Sequence, residues 1–471
     1  MKPSKHKAVL NDTICAISTP FGNGAIAIIR LSGPETFAIC NTIFVQNKET
    51  IDFNNTLSHT LHYGKLFMED QVLLDEVVIG IFRNPHSYTG EDIAEISCHG
   101  SIYIQEQLMQ LLIRKGARAA KPGEFTLRAF LNGKMDLAQA EAVADLIASE
   151  SSSAHKLAIS QVKGGFSKDI RQLRTELLEF SSLLELELDF SEEEVEFANR
   201  EKLTALLTRI RIKIDYLLAS YSFGNVLKRG IPVTIIGKPN VGKSTLLNIL
   251  LNEDKAIVSE IPGTTRDTIE DKIIINGICF RFIDTAGLRE TTDKIETMGV
   301  ERTYEKINEA SIILYMFDLT ESNVNDIKNS LQEIKKLSGN EEVKIILIAN
   351  KIDLLVETPK SFKELSNFDT VYISAKRKEN IHLITEKLIK TVKETNMQFD
   401  GNIVTNARHY DVLTKSLQEI DETLNGMKQQ QSNDLLAINI RSALHYLGEI
   451  TGDITTEDIL DQIFGKFCIG K

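Results

Sequence analysis

The chain has 471 residues, 42% apolar and 25% charged. This is ordinary globular composition in a length beyond one core, so two to four domains are expected and a mostly disordered protein is excluded. A formal net charge of −12 excludes a wholly basic nucleic-acid surface and leaves any RNA partner to a local basic face. Cys15, Cys40, Cys98, Cys279 and Cys468 lack C-x-x-C spacing, which argues against a disulfide framework or zinc site; Asn11, Asp12 and Thr13 break any signal-peptide core, and no apolar run reaches spanning length, so a cytoplasmic protein without a membrane partner is expected.

From Asp12 to about Lys121, short β-like runs (IAIIRL, VLLDEVVIGIF, IAEISC) alternate with turn-rich pieces such as TPFGNG and NPHSYTGED, predicting an α+β domain over residues 1–121. Apolar residues at 102, 104, 108, 111 and 112 predict a helix over Ser101 to Lys115, stopped by Gly116. Arg114, Lys115, Arg118, Lys121, Arg128 and Lys134 form the densest basic run, either a nucleic-acid contact or a solvated helix edge. From Glu124 to Ser220 proline and glycine are scarce, and stretches such as RQLRTELLEFSSLLELELDF predict antiparallel helices, the first part of a helical domain over residues 122–223. The acidic cluster Glu192 to Glu196 reads as a solvated helix start, because nothing spaces its carboxylates around one point.

A nucleotide domain is expected to begin at Gly224 to Gly230 and to alternate strands with helices over residues 224–390. Its organising stretch is IPVTIIGKPNVGKSTLL, a β-branched run, a glycine-rich loop and a helical pattern that fits G-x-x-x-x-G-K-[ST] with Gly237, Gly242, Lys243 and Ser244. Glycines let successive N–H groups converge on phosphate oxygens at the positive end of the helix opening at Lys243. Lys243 can reach the β- and γ-phosphates, and Ser244 offers a small hydroxyl to Mg²⁺. Downstream, IPGTTRD (Ile261 to Asp267) and the D-x-x-G of FRFIDTAG (Asp284 to Gly287) stand at switch positions. The segment VKIILIANKID places Asn350, Lys351 and Asp353 beyond a second apolar strand, where the Asp353 carboxylate can accept from the ring N–H and amino group of guanine. Adenine cannot reciprocate, so GTP is the expected substrate. VYISAKR supplies the loop that closes over the base. The expected GTP contacts are Asn240, Val241, Gly242, Lys243, Ser244 and Thr245; Ser259, Glu260, Ile261, Pro262, Gly263, Thr264 and Thr265; Asp284, Thr285, Ala286 and Gly287; and Asn350, Lys351, Asp353, Ser374, Ala375 and Lys376. Helical periodicity resumes from Ala407 to Ile463, so the nucleotide domain interrupts a helical domain whose second part spans residues 391–471.

The order of these parts resembles the tRNA modification GTPase family MnmE (TrmE) over essentially the whole chain. The segments that carry it are DTICAISTPFGNGAIAIIRLSG, SYTGEDIAEISCHG, KPGEFTLRAFLNGKMDLAQAEAVADLI, the GTPase motifs and the terminal FCIGK. The resemblance implies a multidomain fold: an α+β N-terminal domain that dimerises and binds a tetrahydrofolate derivative (5-formyl- or 5,10-methylene-), and an all-α helical-bundle domain interrupted by an inserted α/β P-loop (Ras-like) GTPase domain. It implies a homodimer that works in a heterotetramer with the FAD-dependent MnmG (GidA), adding a carboxymethylaminomethyl or aminomethyl group to C5 of the wobble uridine of certain tRNAs.

By motif, the resemblance assigns folate contacts to Arg30, Glu95, Lys134 and Lys471; a glutamate tail wants cations and a pterin wants a carboxylate. Taken alone, the first three read equally as ion-pair residues. Cys468 is a catalytic thiol by the resemblance or a packed one by its residue type, and Gly470 with a terminal Lys fits a prenylation box poorly. Leu288 follows D-x-x-G where Ras-like proteins place a water-orienting Gln. The resemblance moves that role to Glu296 and replaces an arginine finger with K⁺ held by Asn240, Ser259, Ile261 and Thr264, with Thr265 joining Ser244 at Mg²⁺. The rival class is a ribosome-assembly RNA-binding GTPase switch, against which the TGED, LNGK and FCIGK segments stand, since such proteins normally append a compact RNA-binding module.

Overall fold

A computed structural model describes residues 11–46, 49–189, 200–253, 271–283, 307–338, 343–355, 362, 365, 368–396 and 402–470. It divides into two compact units. One comprises Met1–Ala144, Gln161–Leu207 and Gln418–Lys471; the other comprises Asp145–Ser160 and Thr208–Leu417.

The first unit is built on an eight-stranded sheet. Its strands are β1 (Ile14–Ile17), β2 (Ile26–Ser32), β3 (Phe44–Gln46), β4 (Glu49–Thr50), β5 (Thr60–Phe67), β6 (Leu73–Phe82), β7 (Ile93–His99) and β8 (Arg118–Ala119), in the order β4-β3-β5-β6-β7-β2-β1-β8. All neighbours are antiparallel except β1 and β8. Period-2 alternation sends Ala27, Ile29 and Leu31 of β2, Val77, Ile79 and Ile81 of β6, and Ala94, Ile96 and Cys98 of β7 into one core. Two helices complete that core, α1 (Thr36–Ile43) through Phe37 and Ile43, and α2 (Ile102–Arg114) through Leu108, Leu111 and Leu112. The helix predicted over Ser101 to Lys115 is thus α2, with Ser101 and Lys115 as its caps. Ile26 of β2 and Leu61 and Tyr63 of β5 stand exposed.

Helices follow, as the scarcity of proline and glycine predicts: α3 (Glu124–Leu131), α4 (Leu137–Ile147), α5 (Ser152–Val162), α6 (Gly165–Asp189) and α7 (Arg200–Arg229). At the other end of the chain lie α11 (Ala407–Lys428), α12 (Asn433–Thr451) and α13 (Glu457–Phe464). Within the first unit α6 packs along α12, with Arg441 bonded to Glu185 at 2.8 Å and Asn433 to Glu187 at 3.0 Å. Leu460, Ile463 and Phe464 of α13 pack with Leu137 and Ala140 of α4.

The second unit holds a six-stranded sheet of β9 (Ile231–Ile236), β10 (Asp271–Ile275), β11 (Ile278–Phe282), β12 (Ile312–Asp318), β13 (Lys344–Asn350) and β14 (Thr370–Tyr372), in the order β10-β11-β9-β12-β13-β14. It is parallel except for β10. Its central strands are buried on both faces, and β12 is buried at every position, which is why these stretches are continuously apolar. On one face lie α8 (Lys243–Glu253) and α10 (Ile381–Asn396), through Leu246, Leu250, Ile384 and Leu388; on the other lies α9 (Val324–Leu337), through Ile327, Leu331 and Ile334. Gly224, at the expected start of this domain, is not a break. It sits inside α7, where a Cβ would come within 2.3 Å of the Val404 carbonyl oxygen, so the glycine permits a close approach of the returning chain.

Candidate functional site

In the second unit β9 ends at Ile236 and the chain turns sharply into α8 at Lys243. A Cβ on Gly237 would lie 2.1 Å from the Met316 carbonyl oxygen, and one on Gly242 2.5 Å from Asn350 Nδ2. Both positions admit glycine alone, and Gly242 also has φ +102°. Asn240 takes φ +61°, a conformation asparagine tolerates better than most residues. Lys243 Nζ turns back into the loop and donates to the carbonyls of Gly237 at 2.9 Å and Lys238 at 2.8 Å. Burial lowers its pKa from the usual lysine value. A half-buried ammonium aimed into a turn of converging backbone, at a helix N-terminus, is an anion cradle. Ser244, half-buried in the first turn of α8, suits a magnesium ion carried in on the phosphates; Thr245 is exposed.

The residues expected to recognise the base meet this loop through Asn350. It is 3% exposed at the end of β13, donates Nδ2 to the Val241 carbonyl at 2.7 Å, and accepts at Oδ1 from the Ala375 N–H at 2.9 Å. One amide therefore ties the phosphate loop to the loop after β14. Asp353 accepts from Ser374 Oγ at 2.7 Å, and that bond holds its carboxyl below the ordinary aspartate range. Ser374 thus orients Asp353 and also caps the Arg377 N–H at 3.1 Å, while Lys376 is exposed. Lys351 adopts φ +69° and pairs with Asp318 at 2.5 Å. Asp318 was not legible as a site residue; the signal was the Asp-Leu-Thr closing an apolar strand. Residues Ser259, Glu260, Ile261, Pro262, Gly263, Thr264, Thr265, Asp284, Thr285, Ala286, Gly287, Leu288, Glu296, the cluster Glu192 to Glu196, and Lys471 lie outside the described residues.

The first unit brings together part of the second predicted set. Arg30 on β2 and Glu95 on β7 are cross-strand partners and form an ion pair at 2.7 Å. The Arg30 guanidinium also lies over the rings of Tyr88 (5.4 Å) and Phe125 (5.6 Å). These two aromatic neighbours were not foreseen. Lys134 Nζ donates to the Pro85 carbonyl at 2.9 Å, on the same loop that carries Tyr88. The C-terminal tail reaches this sheet: Ser18 Oγ donates to the Gly470 carbonyl at 3.3 Å, and the Gly123 N–H to that of Cys468 at 3.4 Å. Cys468 is exposed, while Cys15, Cys40, Cys98 and Cys279 are buried free thiols. Burial pushes Cys15 and Cys98 up to about 11 and Cys40 to about 12.

The basic run is corrected by the structure. Arg128 is 1% exposed and bonds Asp12, Glu91 and Glu124, and Arg118 bonds Asp12 and Glu124. Two of its six cations therefore join a carboxylate network, Arg128 buried and Arg118 half-exposed at its rim, that braces β1, the TGED loop and α3, and Arg128 is withdrawn from any basic face.

Comparison with known proteins agrees with this layout. Residues 13–134 match the family model described as the GTP-binding protein TrmE N-terminus, and residues 137–468 match the MnmE helical domain. The chain is 51% identical over 461 residues to a tRNA modification GTPase MnmE of Cytophaga hutchinsonii, covering 98% of both chains. It is 51% identical over 478 residues to that of Christiangramia forsetii and 50% over 469 to that of Flavobacterium psychrophilum, in each case covering 98% of this chain and 100% of the relative.

Proposed function

The chain belongs to the MnmE family of tRNA modification GTPases, and from that premise we propose that it is a K⁺-dependent GTP hydrolase acting with an FAD-dependent MnmG (GidA) partner on the wobble uridine of certain tRNAs. The observation that carries the nucleotide half is Asn350, whose single amide joins the Val241 carbonyl of the phosphate loop to the Ala375 N–H of the base loop. A guanine nucleotide bridging the two loops would have its phosphates beside Lys243 and its base edge at Asp353. Ser244 and Thr265 would hold Mg²⁺; Asn240, Ser259, Ile261 and Thr264 would hold K⁺, which offsets charge developing between the β- and γ-phosphates. Glu296 would orient the attacking water.

The carbon half rests on Arg30, Glu95, Lys134 and the terminal Lys471. A tetrahydrofolate derivative would present its glutamate carboxylates to Arg30 and the lysines, and its pterin to the Glu95 carboxylate beside the half-buried Tyr88 ring. The placement of Gly470 against Ser18, just past the end of the strand paired with that of Arg30, supports a tail that closes this site. The exposed Ile26, Leu61 and Tyr63 on this sheet support dimerisation through the N-terminal domain. The exposed thiol of Cys468 stays available for chemistry. We place the protein in the cytoplasm as a homodimer within a heterotetramer.

The test is GTP turnover in KCl and in NaCl, followed by nucleoside analysis of tRNA incubated with the chain, the flavoprotein, GTP, methylene-tetrahydrofolate and, as nitrogen donor, glycine or ammonium in separate reactions. Hydrolysis only in KCl and a carboxymethylaminomethyl or aminomethyl group at C5 of the wobble uridine are expected. Equal rates in both salts would overturn the K⁺ role, and unmodified uridine would overturn the tRNA reading.

A further inference from the structure

The last residue of β12, Asp318, lies 3% exposed opposite Asn350 in the register of β12 with β13. A buried carboxylate has to be hydrogen-bonded and charge-compensated, and here the two oxygens divide the work. Oδ1 accepts from the Thr320 N–H at 2.8 Å and from Thr320 Oγ1 at 2.7 Å, which fixes the plane of the carboxylate. Oδ2 receives the ammonium of Lys351 at 2.5 Å. The backbone cooperates: Leu319 N–H donates to the Asn350 carbonyl at 3.1 Å, so the ends of the two strands are locked together. Lys351 has φ +69°, a conformation unfavourable for a long side chain. The pair with Asp318 gives that conformation a reason, since it steers the lysine back toward the strand end. Burial raises the Asp318 pKa, but the bonds from Lys351 and Thr320 outweigh it and hold the group below its ordinary range, and the Lys351 pKa is raised chiefly by its bond to Asp318.

We propose that Asp318 is a positioning residue of the guanine site: it pins the Lys351 side chain so that its methylene stem forms a preset floor for the face of the base, while Asp353 reads the edge. The inference rests on the guanine-nucleotide reading given above. Asp318 touches no nucleotide itself and acts only through the lysine, whose stem would otherwise have to be ordered each time a nucleotide bound. A face contact and an edge contact differ in what they discriminate, because every purine has a face and only guanine offers the amino group and ring N–H together.

The experiment uses the full chain. Release of a ribose-labelled fluorescent GDP, and KM and kcat for GTP and for inosine triphosphate, are measured for the wild type, Asp318→Asn, Lys351→Met and the double variant. Asp318→Asn keeps an oxygen for Thr320 and loses the charge, so GDP release and KM should each rise about tenfold with a much smaller change in kcat. The ratio of KM values for the two triphosphates should stay constant, and the double variant should be no worse than Lys351→Met alone. Unchanged release, an altered guanine-to-hypoxanthine ratio, or additive losses in the double variant would each overturn the proposal. A wild type that fails to retain GDP would sink the guanine-nucleotide reading itself, which separates the two failures.

Discussion

Asp353 has one oxygen engaged by Ser374 and the other 3.9 Å from the Arg377 guanidinium, so its charge is oriented before any base arrives. Asp353→Asn replaces an acceptor with a donor at the edge-reading position. Affinity for GTP should fall at least a hundredfold, and xanthosine triphosphate, whose carbonyl replaces the guanine amino group, should gain, as competition binding will measure. At Arg128 the stakes are structural. It and Glu124 are 1% and 2% exposed; Arg128→Leu deletes its charge-assisted bonds to Asp12, Glu91 and Glu124, while Glu124 keeps Arg118, so the change should cost about 1.5–3 kcal/mol, read as a lowered thermal midpoint. The same network sets acid sensitivity. At Glu124 and at Asp12 burial pushes the pKa up, but the bonds from Arg118, with the Lys121 N–H for Glu124 and Arg128 for Asp12, prevail and lower both. Folded-state values below the unfolded ones mean that their stabilisation is fully present above about pH 4–4.5 and is lost as pH falls through the lowered values. Acid titration of the wild type followed by circular dichroism should show this loss, and Arg128→Leu should shift it to higher pH.

The turn joining β10 to β11 is an Asn-Gly pair with φ +50° at Asn276 and +79° at Gly277, the geometry of a type I′ hairpin. It is also a docking point. The Ser153 N–H at the start of α5 donates to the Gly277 carbonyl at 3.0 Å, Ser151 Oγ caps the Ala154 N–H at 3.1 Å, and Lys272 meets Glu150 at 2.7 Å. A Cβ on Gly277 would stand 2.9 Å from that of Ser152. Gly277→Ala should therefore cost about 1–2 kcal/mol from the left-handed backbone alone, with the crowding added, and hydrogen exchange should quicken at the amides of β10, β11 and the first turn of α5. An unchanged exchange pattern would show that the turn bears no strain. That hairpin was not read from the sequence, but several other elements were. Period-2 alternation marks β2, β6 and β7, apolar spacing marks α2, and a continuous β-branched run into G-x-x-x-x-G-K-S marks β9 and α8. The two-residue β8 was not legible, because its parallel pairing to β1 depends on a partner about a hundred residues away. Gly224 is of the same kind: its place inside a helix is explained only once the distant Val404 carbonyl is known to pack against it.

At the largest scale, the C-terminal tail meets the end of β1 within the first unit. Gly470 has φ +94°, and a Cβ there would lie 2.3 Å from the Ile17 carbonyl oxygen; Phe467 is 9% exposed and packs 5.4 Å from the Phe464 ring. Removing residues 468–471 leaves the Phe467 anchor in place. Formyl-tetrahydrofolate binding, measured by calorimetry, should weaken at least tenfold, as expected for the loss of one charge-assisted contact, whereas GTP turnover in KCl should stay within about twofold. Unaltered folate binding would remove the tail from that site. The sequence by itself determined the two periodicities, the phosphate loop and the guanine motifs, since these depend on residues close together in the chain and on steric rules that hold in any fold. Only the tertiary structure decided that Arg128 is a buried ion-pair residue with Arg118 paired at the edge of the same network, that Asp318 belongs beside Lys351, and that Tyr88 and Phe125 flank Arg30. Charge and ring partners are chosen by folding across tens to hundreds of residues, and no local pattern records which carboxylate a buried cation will find.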